Sequence, residues 1–246
     1  MNTATRLLGA TILSTTLSIG TVSIGALSAG VLSLGVLGAP PAHAAASDQQ
    51  ATVDRAAIVV GDLHRDKAFG NARTLMQRAR AVMIVPRLVK GGFFVGGEGG
   101  DGVLMTHKAG GGWSEPAFYA IGSASFGLQI GLEQSEMVMF IMSQRALDAM
   151  MHDQFKIGAD AGLAVVTLGS GVEAATTAAV GADIVVWASS SGAYAGVSLN
   201  GSIVKPQFDQ DRAYYGPGVT QRDILFRGTV ANPQTGPLLH ALGTLG

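Results

Sequence analysis

Between residues 67 and 90 the chain carries six basic side chains and no acidic one: Lys67, Arg73, Arg78, Arg80, Arg87 and Lys90. Guanidinium groups grip phosphate in a bidentate fork. A polybasic segment beside an anionic membrane gains about 1 kcal/mol per Lys or Arg. Arg87 and Lys90 bracket an expected turn just before Gly91-Gly92, where bare backbone N–H groups would approach a phosphate, so these two are expected nearest to it. The bland alternative is a solvated helix face followed by an ordinary loop charge. The preceding segment, 48–66, is net acidic, so the basic character is local.

Catalytic patterns are mostly missing. There is no G-x-x-x-x-G-K-[ST], H-E-x-x-H or G-x-S-x-G, and His64, His107, His152 and His240 are widely spaced. Without cysteine, a zinc site would need histidines and carboxylates gathered by the fold. Gly97-Glu98-Gly99-Gly100-Asp101-Gly102 matches G-x-G-x-x-G. A dinucleotide site needs that motif between a strand and a helix, whose N-terminus receives the pyrophosphate. Here a strand-like run follows and two carboxylates would repel phosphate, so a tight glycine-rich strand connection is expected. Glu98 with Asp101 would serve as an acid/base pair or a calcium ligand set only if the fold converged them, with Asp160 a third candidate. No catalytic residue, metal or cofactor is expected.

Composition sets the frame for these side chains. Residues 1–46 hold a single charge, Arg6, then an apolar Gly/Ser-rich stretch, Pro40-Pro41 and Ala42-His43-Ala44. That is the form of a secretory signal peptide over 1–44 with a small-x-small cleavage site. The long apolar stretch keeps an uncleaved inner-membrane anchor as the alternative. The expected locations are periplasmic or secreted after cleavage. The remainder, 45–246, holds 15 basic and 17 acidic residues, net −2, which argues against a general nucleic-acid binder. Without cysteines there are no disulfides, so stability must come from packing. The 35 glycines lie among plentiful Val, Ile, Leu, Met and Phe, which points to strands with tight turns, bulges and close backbone approaches.

Apolar residues at helical spacing predict helices over 50–66 and 68–81. Strand-like runs follow at 81–86 (ended by Pro86), 92–97, 101–107, 117–131 and 136–143, then at 154–157, 161–168, 172–178 and 182–188. Ser143 is placed to cap a short helix, 144–151. Runs 193–199 and 202–205 read as a hairpin around Asn200-Gly201. Short helical pieces close the chain at 208–215, 221–227 and 236–243, with Thr220 and Asp223 in the form of a capping box. Within Phe93-Phe94, strand alternation turns one ring inward and one outward, beside Arg87 and Lys90. The other aromatic residues, Trp113, Phe118, Tyr119 and Phe126, are expected to pack the core. Segregated helices and strands make the fold class α+β. The antiparallel β-rich core is barrel-like or a sandwich, between N-terminal helices and short C-terminal ones.

The runs VPRLVKGGFFVGGEGGDGVLM (85–105), WSEPAFYAIGSASFGLQIGLEQSEMVMFIMSQRAL (113–147) and FKIGADAGLAVV (155–166) resemble the SYLF domain family. The likeness covers about residues 50–205 of a single domain, 45–246. It implies lipid binding, since eukaryotic members bind phosphoinositides and bacterial members are exported. The matching positions are Arg87 and Lys90 in R-x-x-K-G-G-F, with Arg73, Arg78, Arg80 and Lys67 ahead of them. The expectation is an exported, non-catalytic module for anionic phospholipid or phosphoinositide headgroups. The alternative is a structural or envelope protein-interaction domain, self-associating or bound to an envelope partner. Some family members bind and bundle actin, but with no SH3 or FYVE segment alongside and an exported chain, actin is not expected as a partner.

Overall fold

The structure is a computed structural model and describes residues 42–65, 72–92, 95–126, 131–167, 181–189 and 199–245. These lie in one compact unit, Ala39–Gly246. The segment 1–41, Lys67, Phe93-Phe94 and the strand expected at 172–178 fall outside the described residues.

Eight strands form one curled sheet, a half-barrel, so the single-sheet form holds and not the sandwich. They are β1 (Ala81–Gly92), β2 (Val95–Thr106), β3 (Ala117–Phe126), β4 (Gly131–Ile141), β5 (Phe155–Lys156), β6 (Leu163–Thr167), β7 (Ile184–Ala188) and β8 (Ile203–Pro206), in the order β5-β8-β3-β2-β1-β4-β7-β6. Every neighbouring pair is antiparallel except β6–β7. Between β5 and β6 the chain turns through an isolated parallel bridge, Ile157 to Ala161.

Helices stand at both ends of the chain: α1 (Ala42–Arg65), α2 (Ala72–Arg78), α3 (Gln144–Met150), α4 (Phe208–Tyr215) and α5 (Gly236–Leu245), with a π-helical turn at Asp223–Arg227. Alternate residues of the central strands supply two cores. Val82, Ile84, Val103, Phe118, Val138, Phe140, Val185 and Trp187 face α1, α2 and α5. Met83, Val85, Leu104, Tyr119, Met137, Met139 and Val186 fill the concave side, with Leu147, Phe155 and Leu225. A strand covered on both faces reads as an unbroken apolar run, which is why 81–85, 137–141 and 184–188 show no alternation.

Pro86 does not end the first strand. β1 continues to Gly92 through a bulge, with Ile84 and Val89 opposite Val103 and Gly99 of β2. On its other edge Val85 and Leu88 face Met137 and Ser135, so Pro86 and Arg87 together oppose the single residue Glu136. A bulge tolerates the missing proline N–H. The glycine pair on β2 answers it: a Cβ on Gly102 would lie 2.5 Å from the Ile84 carbonyl oxygen, and one on Gly100 would overlap that of Arg87.

The capping expectations hold. Ser143 Oγ accepts from the Ala146 N–H at 3.1 Å, and the Thr220 and Asp223 side chains accept from one another's backbone N–H. The Asn200-Gly201 pair is the centre of a turn, Ser202 N–H donating to Leu199 O at 3.0 Å. Residues 193–198 of the expected hairpin lie outside the described residues, and Ile203 and Val204 pair with β3 on one edge and β5 on the other. No described helix is long and apolar enough to cross a membrane.

Candidate functional site

The bulge decides where the basic residues go. Arg80 sits just before β1 and Lys90 near its far end, so at about 3.3 Å per residue they stand roughly 30 Å apart. The six-residue cluster of the sequence is therefore not one patch. Arg73, Arg78 and Arg80 are exposed at the α2 end. Arg73 donates to the Thr244 carbonyl of α5 at 3.1 Å, and Arg80 to Gln144 Oε1 at 3.3 Å. Lys67 lies outside the described residues. Lys90 is in register with Glu98 on β2 and Glu133 on β4. Directly opposed residues have Cβ atoms about 5 Å apart, so carboxylates balance Lys90 from both edges. No turn occurs at 87–90, because the strand runs through.

Arg87 instead meets a residue the sequence reading did not single out. The bulge turns it outward into a recess of about 250 Å³, lined by Arg55, Ile58 and Val59 of α1, Pro86 and Arg87 of β1, and Gln134 and Glu136 of β4. Arg55 and Ile58 fall there because α1 buries its other stripe, Val53, Ala56, Val59, Val60 and Leu63, against the sheet, Val59 forming the recess floor. Neither the Arg55 nor the Arg87 side chain makes a hydrogen bond or ion pair among the described residues, whereas Arg65 pairs with Asp62, Arg145 with Asp183, Arg212 with Asp209 and Arg227 with Asp223. Ile58 is 59% exposed beside them. Partial burial, and to a smaller extent the charge of Asp62, raise the Glu136 carboxyl above its ordinary value. The recess can hold an anion between two guanidiniums, against an apolar edge. The signal for Arg55 is its place on the polar side of an amphipathic helix; nothing in the sequence pairs it with Arg87.

The carboxylates considered for catalysis do not converge. Glu98 and Asp101 are three apart on β2 and so point to opposite faces. Asp160 accepts from the Lys156 N–H at 2.6 Å in a turn. The G-x-G-x-x-G residues lie wholly within β2, with no helix N-terminus to receive a pyrophosphate. Among the described residues no three His, Asp or Glu side chains are grouped as a metal site. His107 is instead stacked edge-on to Trp113 at 4.1 Å, and burial lowers its pKa.

A family model described as Ysc84, Las17-binding protein actin regulator, matches residues 122–245. The chain belongs to the Ysc84, or SYLF, family. Protein YSC84 of Saccharomyces cerevisiae is 30% identical over 171 residues, covering 68% of this chain and 36% of the yeast protein. LAS seventeen-binding protein 3 of the same yeast is 27% identical over 198 residues, 78% of this chain and 43% of that one. Human SH3 domain-containing YSC84-like protein 1 is 29% identical over 169 residues, 68% and 49% of the two chains. The chain thus spans less than half the length of these relatives. The family description denotes a Las17-binding actin regulator and one relative's name a LAS seventeen-binding protein; none of these names denotes an enzyme. The same names overturn the expectation against actin as a partner for this Ysc84 family domain. No solved structure matches the chain.

Proposed function

We propose that this Ysc84 family domain is a non-catalytic binding module that seats an anionic phospholipid headgroup between Arg55 and Arg87. The observation that carries the reading is the recess itself: two outward guanidiniums without protein partners among the described residues, beside the exposed side chain of Ile58. A headgroup phosphate fits the bidentate arginine fork, and an apolar side chain at its edge suits the boundary between headgroups and acyl chains. The leader reading of residues 1–44 belongs to the same proposal and brings the domain to a membrane face outside the cytoplasm. Sedimentation with anionic and neutral vesicles tests it. Binding is expected to anionic vesicles alone and to weaken as salt rises. Equal binding to neutral vesicles, or none to either, contradicts it.

A second reading rests on the relatives' names: a protein-binding module for an actin-regulatory partner. Co-sedimentation with filamentous actin in the absence of lipid favours that reading if the domain pellets.

A further inference from the structure

Among the described residues three large apolar side chains are exposed: Ile58 at 59%, Phe208 at 41% and Phe226 at 50%. The first edges the headgroup recess. The other two line a separate groove of about 630 Å³ between the end of α3, the start of α4 and the π-helical turn, together with Met151, His152 and Arg222. That volume lies within the range of about 300–1,000 Å³ typical of ligand clefts.

The groove is preformed from beneath. The Tyr119 hydroxyl lies 2.9 Å from Gln221 Oε1 and 3.1 Å from the Met150 carbonyl, so β3 ties the groove floor to the end of α3. Asp211 of α4 accepts from the Phe118 N–H at 2.8 Å, and the Gln221 amide adjoins its carboxyl. The Thr106 hydroxyl donates to the Leu225 carbonyl, which anchors the π-helical turn to β2. Walls fixed in this way lose little entropy on binding.

Charge gives the sign of the occupant. Arg222 is exposed and makes no bond among the described residues, while Arg227 is largely exposed although it pairs with Asp223. Arg80 reaches the same rim through Gln144. The nearest lining carboxylate, Asp148, accepts from the Gln144 amide at 2.8 Å. Asp223 is held by Thr220 and Arg227. The rim thus carries three arginines, Arg80, Arg222 and Arg227, against the exposed Asp148 and the paired Asp223, and the balance is positive. Two rings lining a concave groove also fit an inserted side chain better than a bilayer, which is flat on this scale.

We infer that this groove docks an acidic peptide segment of another protein, with an aromatic or leucine side chain between Phe208 and Phe226 and flanking carboxylates on Arg222 and Arg227. The inference is independent of the headgroup recess. The test is fluorescence anisotropy of the full chain with a labelled peptide whose central Phe-Leu pair is flanked by glutamates, against the same peptide flanked by lysines. The acidic peptide is expected to bind at least about tenfold more tightly. Phe226→Ala and, separately, Arg222→Glu are expected to weaken it about tenfold or more while vesicle binding stays unchanged. Circular dichroism checks that both variants fold, and Phe208→Ala replaces Phe226→Ala if that one does not. Equal binding of the two peptides, no binding, or variants that bind as the parent does would overturn the inference. So would loss of vesicle binding in Phe226→Ala, which would mark a membrane contact, or loss of self-association, which would mark a second copy.

Discussion

Gly102 and Ile84 are two sides of one contact. The extra residue in β1 pushes the Ile84 carbonyl toward β2, and only a residue without a side chain fits opposite it. Gly102→Ala is expected to cost about 2–3 kcal/mol of stability, the usual range for overpacking, read as a lower denaturation midpoint. A neutral result would mean that the bulge relaxes freely. Asp211 is the other residue whose environment makes a sharp prediction. It is 1% exposed, one carboxyl oxygen lacks a hydrogen-bond partner, and burial pushes its pKa up to about 6 from 3.8. A raised acid is held more tightly by proton in the folded state than in the unfolded chain. Its contribution is therefore most favourable below about pH 4 and declines as pH rises to about 6. The stability gap between Asp211→Asn and the parent is expected to shrink on acidification from pH 7 to 4, by up to about 3 kcal/mol for a shift of this size. Asp183 is lowered by the Ser143 hydroxyl, the Gly162 N–H and Arg145, so it stays charged above the ordinary carboxylate range and is common to both chains. A pH-independent gap would show that Asp211 is not desolvated.

At the scale of elements, helix ends were legible because their chemistry is local: Ser143 caps α3 and Thr220 pairs with Asp223, as their spacing implies. The 208–215 helix is present as α4 without a side-chain cap at Gln207, its first turn carrying Asp209 and Asp211 instead. The first strand was cut short because Pro86 is a breaker everywhere except at an edge or bulge, and a bulge needs two neighbouring strands to exist. Asn200-Gly201 reports a turn without reporting which strands it joins, so the pairing of Ile203 and Val204 with β3 and β5 is not legible locally. The recess has the same origin: Arg87 stood out in its motif, but Arg55 and Glu136 arrive on α1 and β4 through tertiary packing. Glu136 gives the element-scale prediction. Its raised carboxyl gains a proton at a higher pH than an ordinary glutamate, and losing that charge beside Arg55 and Arg87 favours an anion. Vesicle binding is expected to strengthen as pH falls from 7, and Glu136→Gln is expected to bind more tightly than the parent at pH 7 and to lose that pH dependence. Unchanged pH dependence in Glu136→Gln would place the titrating group elsewhere.

For the whole molecule, the α+β class and the family were readable from the sequence, since glycine-punctuated apolar runs and ordered motifs do not depend on contacts. Strand order was not, because it is a property of pairing: β1 sits at the centre between β2 and β4, and β5 and β6 at the ends. The length of β1 separates Arg73, Arg78 and Arg80 from Arg87, which proximity in sequence had grouped together. The most direct measurement compares two double variants, Arg55→Gln/Arg87→Gln and Arg78→Gln/Arg80→Gln, in sedimentation with anionic vesicles. At about 1 kcal/mol per basic residue, the first pair is expected to weaken binding roughly thirtyfold and the second to change it little. Loss of binding in the second pair with the first unaffected would contradict the recess as the headgroup site and place it at the α2 end of the sheet.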